Sequence, residues 1–392
     1  MPRFPNIADH ASSVSHRVYS NLTERARAKN DEIFALHVGD TYRDPVMAAR
    51  AEAQKSSEHR GLHKYAPVRG EPELIDAFIE YVAQRHHEAL EPERIQVMSG
   101  ATAGLSIVCQ VLLDPGDEVL LPSPFWPLSR GIIATKGASP VQVPFYTRLD
   151  EPGFDPEAAL ERAVTDRTVA LYINTPNNPS GRVLSEATID AMLRVARRHD
   201  LWVFCDEAYE EIYFDREPPT AVWQHPNVRD RSIAFHTLSK TYGFAGARVG
   251  FTHGPAEIMR AVAGMQTFHT YCAARPMQFG AIGALREGGA WVEESRTLYR
   301  DAGYAAADAL GVARPEGGTF LFIDTSPHLE PGASDCSAFL ERCADVGVLL
   351  TPGSSCGADY GKWVRLCFTS VRRARLDAAL ERLVPLFRTP GG

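Results

Sequence analysis

From Arg94 to about Phe251 short apolar runs alternate with stretches of helical period, and this alternation dominates the chain. The runs are Ile95–Met98, Glu118–Leu121, Val141–Val143, Val169–Ile173, Leu201–Cys205 and Ser232–Phe235, and positions 102–113, 127–136, 155–164 and 185–199 between them predict helices. Buried strands separated by helices predict α/β layers around a largely parallel sheet. Upstream, the pattern predicts a polar helical arm over 13–29, a short strand at 33–38, a helix over 46–58 and a long amphipathic helix over 71–87. That last helix carries Leu74, Ile75, Phe78, Ile79 and Val82 on one stripe. Beyond Phe251 the character shifts to helices over 255–268 and 274–310, then strands at 317–324, 348–350 and 363–368 with helices over 335–346 and 372–388. These make a second, α+β unit.

Composition narrows the functional classes. The 392 residues carry a net charge of -8, with Lys and Arg scattered, so neither nucleic acid nor an anionic membrane is expected as a partner. No apolar stretch approaches membrane-spanning length and the first residues lack a signal-peptide core, so a cytoplasmic location is expected. Seven cysteines without a CxxC pair read as reduced core residues. His86 and His87 are adjacent and not spaced i, i+4, so no metal site is expected.

In a parallel sheet, ligands collect at the carboxyl ends of the strands. The first run is followed by Ser99, Gly100, Ala101 and Thr102, small residues opening a helix whose free N–H groups suit an anion. Phe125 and Trp126 stand between prolines as a shelf for a flat ring; Asn178 lies between Pro176 and Pro179; Asp206 ends an apolar run with Tyr209 three residues on. After the last run come Thr237, Ser239, Lys240 and, in a glycine-rich turn, Arg248. A desolvated lysine can attack a carbonyl as the free base, and hydroxyls beside a guanidinium can hold a phosphate. A carbonyl compound with a phosphate tail, such as pyridoxal 5'-phosphate, uses both halves. On the lysine stretch alone, a solvated turn lysine explains the residues equally well. The coincidence of an anion site, a ring shelf, an oriented amide, a strand-end acid and a lysine favours the cofactor. Arg365, in the middle of a later apolar run, offers a planar fork for a carboxylate.

Asn178-Pro179-Ser180-Gly181, Asp206-Glu207-Ala208-Tyr209, Ser239-Lys240 with Gly246-Ala247-Arg248-Val249-Gly250, and Val364-Arg365-Leu366 resemble the class I/II aminotransferases, pyridoxal-phosphate enzymes of fold type I. The resemblance implies a large domain over 48–280 with a mostly parallel seven-stranded sheet flanked by helices, and a smaller α+β domain formed by 1–47 and 281–392 with an N-terminal arm. It implies that Lys240 carries the cofactor and moves the α-proton, that Asp206 holds the pyridinium nitrogen, and that Tyr209 and Asn178 bond the ring oxygen. It implies likewise that Gly100, Ala101, Thr102, Thr237, Ser239 and Arg248 bind phosphate, that Trp126 stacks on the ring, and that Arg365 and Asn178 meet the substrate. The resemblance further implies a homodimer with shared active sites, in which Tyr65 reaches the phosphate of the neighbouring subunit and Thr270 also crosses the interface. The reaction it implies is amino-group transfer between an α-amino acid and a 2-oxo acid.

Gly39-Asp40-Thr41-Tyr42 departs from the family's usual Gly-Glu-Pro or Gly-Gln-Pro, Cys272 and Cys356 stand where Asn and Phe are usual, and Thr237 replaces a serine. The cofactor set is intact and the substrate set is unusual. Gly39, Tyr42 and Tyr19, together with Arg43, are candidates for the substrate side by their place near the cleft's mouth. The unusual loop leaves room for elimination, cyclisation or oxidation on the same cofactor, and a non-catalytic sensor is a third reading.

Overall fold

The computed structural model describes residues 22–388 except 56, 57 and 60. Tyr19 and the expected helix up to Asn21 lie outside the described residues; within them the arm is a helix over Thr23–Lys29. Twelve strands follow: β1 (Phe34–Ala35), β2 (Ile95–Met98), β3 (Glu118–Ser123), β4 (Ser139–Pro144), β5 (Thr168–Asn174), β6 (Trp202–Asp206), β7 (Ser232–Thr237), β8 (Gly250–His253), β9 (Phe320–Asp324), β10 (Val348–Leu349), β11 (Thr351–Pro352) and β12 (Trp363–Cys367). Seven of them form one sheet in the order β2-β8-β7-β6-β5-β3-β4, with β8 antiparallel to both neighbours and every other pair parallel. The expected α/β fold with a mostly parallel seven-stranded sheet is therefore the one observed.

All six apolar runs became strands of this sheet. The seventh, β8, is four residues led by a glycine and had produced no apolar run of its own. Crowding requires the glycine that leads it: a Cβ on Gly250 would lie 2.3 Å from the His236 carbonyl oxygen. One further expectation is corrected. The helix expected over 274–310 is two helices, Arg275–Glu287 and Gly289–Leu310, that part at Gly288. A Cβ at Gly288 would lie 2.5 Å from the Tyr242 ring, so the chain can pass Tyr242 only with a glycine there.

Apolar clusters cover both faces of the large sheet, the first built partly by Leu74, Phe78 and Val82 of the helix Pro72–His86, the other by Leu105, Val108 and Cys109 of the helix Ala101–Leu112. The three-stranded sheet β11-β12-β9 has its own cluster with Phe34, Tyr299, Phe339 and Leu376. This second cluster reaches Tyr209 and Ile212, just past the end of β6. The small unit is thereby seated against the carboxyl edge of the large sheet.

Candidate active site

A cleft of about 200 Å³ opens where these two units meet. Its lining includes Ala101, Thr102, Trp126, Asn178, Asp206, Tyr209, Thr237, Ser239, Lys240 and Arg248 from the large sheet's edge, with Gly39, Phe320 and Arg365 opposite. Thirteen residues scattered over more than 300 positions thus face one space.

The floor is fixed by strand register. Asn174 and Asp206, the last residues of β5 and β6, are partners in the ladder. Asn174 Nδ2 donates to the Asp206 carbonyl at 3.0 Å and its Oδ1 accepts the Asn178 N–H at 2.8 Å, which aims the Asn178 side chain. Asn178 Nδ2 donates to Tyr209 Oη at 3.4 Å, and Asn178 Oδ1 accepts from Arg365 Nη1 at 3.1 Å. One amide therefore joins the two walls. The Asp206 carboxylate receives the Tyr172 hydroxyl on Oδ2 and the Ala208 N–H on Oδ1, at 3.1 Å for the latter. Burial raises the Asp206 carboxyl above its usual range, with the Tyr172 hydrogen bond opposing it.

Lys240 sits in a one-turn helix, Leu238–Thr241, capped by Thr237, whose Oγ1 accepts the Ser239 N–H at 3.2 Å. Its Nζ donates to the Gly39 carbonyl at 2.5 Å. Burial pushes the Lys240 ammonium below the usual lysine value; Asp40 opposes this, while Arg365 and Arg248 add to it. A lysine so placed yields its proton more readily than one in water. Beside it, Thr237 Oγ1 donates to Ser239 Oγ at 2.9 Å and Arg248 Nη1 donates to the same Ser239 Oγ at 3.3 Å. Arg248 holds a left-handed backbone (φ 54°) that turns its guanidinium over Gly100, where a Cβ would lie 2.6 Å from Nη2. Gly100 precedes the helix Ala101–Leu112, whose first N–H groups are free by helical geometry.

Arg365, 2% exposed, donates to the His37 carbonyl at 3.2 Å and Thr351 Oγ1 at 3.3 Å, and lies 4.4 Å over the Phe320 ring. Its Nε is buried without a partner among the described residues. A buried guanidinium held on neutral acceptors, with no carboxylate paired to it among the described residues, is poised for an anion.

Several expected residues lie elsewhere. Tyr42 does not line the cleft: it faces a separate groove with Arg43, Trp291 and Arg372, because its N–H is bonded to the Thr369 carbonyl and its ring lies under Arg372. Arg43 in that groove is paired with Glu294 and Ser295. Tyr65 is 82% exposed, packs on Tyr271 at 4.9 Å, and is not in the lining of its own chain's cleft. Thr270 is exposed and Cys272 half-buried nearby in sequence, while Cys356 is fully buried. His86 serves a buried ionic cluster beneath the floor: Glu210 sits 3.2 Å from His86 Nε2 and 2.8 Å from His236 Nδ1, and His236 is 3.1 Å from His253. Although burial works the other way, His236 and His86 hold the Glu210 carboxyl well below the usual range. Sequence reading missed this cluster and Tyr172, since partners up to 124 residues apart leave no local pattern.

A large parallel sheet with a lysine, an acid and an anion cradle at its carboxyl edge, closed by an arginine from a smaller unit, defines the fold type I class. The model of aminotransferase class I and II matches residues 31–383, and the chain belongs to that family. It is 32% identical over 369 residues to the aspartate/prephenate aminotransferase of Thermus thermophilus, covering 91% of each chain. It is also 32% identical over 348 residues to the arginine–pyruvate transaminase of Pseudomonas aeruginosa, covering 86% of each. The solved aspartate aminotransferase from Thermus thermophilus with maleate superposes with a TM-score of 0.87 at 29% identity, over 98% of this chain and 100% of that one. For N-succinyldiaminopimelate aminotransferase from Mycobacterium tuberculosis the TM-score is 0.89 at 28% identity, over 97% and 100%. The chain is an aminotransferase, moving an amino group between an amino acid and an oxo acid.

Proposed function

We propose that this aminotransferase works with pyridoxal 5'-phosphate held on Lys240, as a cytoplasmic homodimer acting on an α-amino acid and a 2-oxo acid. The observation that carries the reading is that Lys240, Asp206 and Arg365 face one cleft with an anion cradle at its end. The donor set fits the cofactor. Thr237, Ser239, Arg248 and the helix start at Ala101 and Thr102 would hold its phosphate, and Gly100 leaves room for Arg248 to close over it. Trp126 would cover the ring, Asp206 would hold the proton on its nitrogen, and Asn178 and Tyr209 would bond its hydroxyl. When bound, this cofactor supplies an aldehyde that condenses with amines and a ring that accepts electrons from the adjoining carbon.

The chain's own groups then divide the work. Arg365 binds the α-carboxylate through its free donor edge and orients Cα. Lys240 Nζ would remove the proton at Cα and return it to the carbon on the far side of the amino nitrogen, a task for which its lowered ammonium pKa suits it. The Gly39 carbonyl oxygen accepts from the free Lys240 Nζ across the cleft.

The dimer is supported by exposed aromatics, Tyr65 at 82% packed on the exposed Tyr271 and Phe268 at 88% three residues before Tyr271 in the chain, and by a cleft that Tyr65 of the same chain does not reach. Seven free thiols support a reducing compartment. The same reading divides the chain into a cofactor-binding domain over 48–280 and a smaller one from 1–47 and 281–392. The apolar clusters follow that division only in part: Ala281, Ile282, Ala284 and Val292 pack with the large sheet's cluster, and Tyr299 with the smaller one. The test is incubation of the purified, cofactor-loaded protein with a panel of amino acids, following conversion of the bound aldehyde form to the amine form by absorbance. Conversion reversed by a 2-oxo acid is expected; a protein that takes up no cofactor, or never converts it, sinks the proposal.

A further inference from the structure

Asp206 is the one carboxylate lining the cleft among the described residues, and its behaviour is set from behind by a residue outside the cleft. Tyr172 lies on β5, 2% exposed, opposite Phe204 of β6 in the ladder. A residue two positions along the neighbouring strand faces the same side of the sheet, within reach of a long side chain. So Tyr172 extends diagonally to Asp206, and its hydroxyl meets Oδ2. Among the described residues no other side chain hydrogen-bonds that carboxylate; the Ala208 N–H takes Oδ1. The other titratable groups around it are Tyr146, Cys205, Glu207, Tyr209 and His236. Burial and the neighbouring Asp206 push the Tyr172 hydroxyl well above its ordinary value, so it stays a donor at every pH the enzyme meets.

We propose that Tyr172 is a positioning residue that holds Asp206 as the carboxylate, so that the proton the two share rests on the ring nitrogen of the bound cofactor and not on Asp206. This rests on the pyridoxal-phosphate reading. A protonated acid beside a neutral pyridine and a carboxylate beside a pyridinium contain the same atoms and the same proton; only its place differs. Burial favours the neutral acid, while each hydrogen bond donated to the oxygens favours the carboxylate. Removing one of two donors from a buried carboxylate moves the proton toward oxygen, and a neutral ring is the weaker electron acceptor.

Tyr172→Phe deletes the hydroxyl and keeps the packed ring. Wild type and variant are loaded with pyridoxal phosphate carrying ¹⁵N in the ring, and the nitrogen resonance is read. The wild type is expected at the pyridinium position and the variant shifted toward neutral pyridine. In turnover, kcat should fall about ten-fold with KM changed less than about two-fold, as for loss of one hydrogen bond to a charged group. Reconstitution with the ring-N-methylated cofactor, whose charge is fixed, should remove the difference between wild type and variant; a merely structural defect would persist. A wild-type nitrogen position in the variant, or a defect that N-methylation leaves in place, overturns the proposal. If Tyr172→Phe does not fold, Tyr172→Leu is read in the same way. A wild-type protein that binds no cofactor overturns the functional reading and this inference with it, an outcome visible before any variant is made.

Discussion

The two walls of the cleft are held by different means. One is the carboxyl edge of the large sheet, where Asn174, Asp206 and Thr237 end adjacent strands and are fixed by the backbone ladder itself. The other draws on distant parts of the chain: Gly39 comes from a loop, Phe320 and Arg365 from β9 and β12, paired in the small sheet, and the Arg365 guanidinium is aimed by single bonds to the His37 carbonyl, Thr351 Oγ1 and Asn178 Oδ1. A ladder fixes direction with many cooperative hydrogen bonds, whereas a side-chain tie can be lost singly. The sheet wall should therefore fail all at once, through its chemistry. The opposite wall should fail by degrees, through substrate geometry.

The largest effect is expected on the sheet wall. Lys240→Ala removes both the attachment and the proton carrier, and activity should fall by at least about 10³-fold, within the range for loss of a positioned acid–base group. Borohydride reduction followed by mass measurement should then find no covalent cofactor. A pH dependence goes with it. Because burial lowers the Lys240 ammonium below the usual lysine value, the free amine becomes available as pH rises through that lowered value. The rate at which apoprotein captures the aldehyde should accordingly rise with pH and level off below the pH at which an exposed lysine deprotonates; a rise that continues to the exposed-lysine value would contradict the burial argument.

Across the cleft, Arg365→Met should leave cofactor capture intact and raise KM for the amino acid about 10²-fold, the loss of a charge-assisted pair of bonds. Equal losses in cofactor binding and KM would mean that the walls are not separable in this way.

The same contrast governed what could be read from sequence. Lys240, Asp206 and Asn178 follow apolar runs, and a polar residue at the end of a buried strand announces itself because burial there needs a reason. Arg365 stood out likewise amid apolar neighbours. Tyr172 did not, since a tyrosine inside Val169–Ile173 reads as one more apolar strand residue and its partner lies on another strand. The break at Gly288 was equally silent, because helical spacing continues across it and what requires the glycine is crowding by the Ala284 carbonyl oxygen and the Tyr242 ring. Tyr42 misled for the opposite reason. It is three residues from Gly39, which does face Lys240, but nearness along a loop does not fix direction.

Smaller effects test the second wall more finely. Gly39→Ala would place a Cβ 2.8 Å from Phe320 Cζ. That ring is 1% exposed and carries the Arg365 guanidinium on its face, so it cannot swing aside without moving the carboxylate clamp. A displacement of a few tenths of an ångström should lower kcat/KM about ten-fold while the cofactor stays bound.

Tyr42→Phe should do least. Its backbone N–H holds the Thr369 carbonyl at 2.8 Å, and that bond survives any side-chain change. Its ring lies 5.6 Å from the Arg372 guanidinium in the groove with Arg43 and Trp291, where phenylalanine keeps the face that the cation rests on. Only the hydroxyl is lost, and it lines no part of the cleft that holds Lys240 and Arg365. Steady-state kinetics should show kcat/KM within about two-fold of wild type, the scale of a surface substitution. A ten-fold rise in KM would show instead that substrate extends into this groove, and the second wall would then reach past Gly39 to Tyr42.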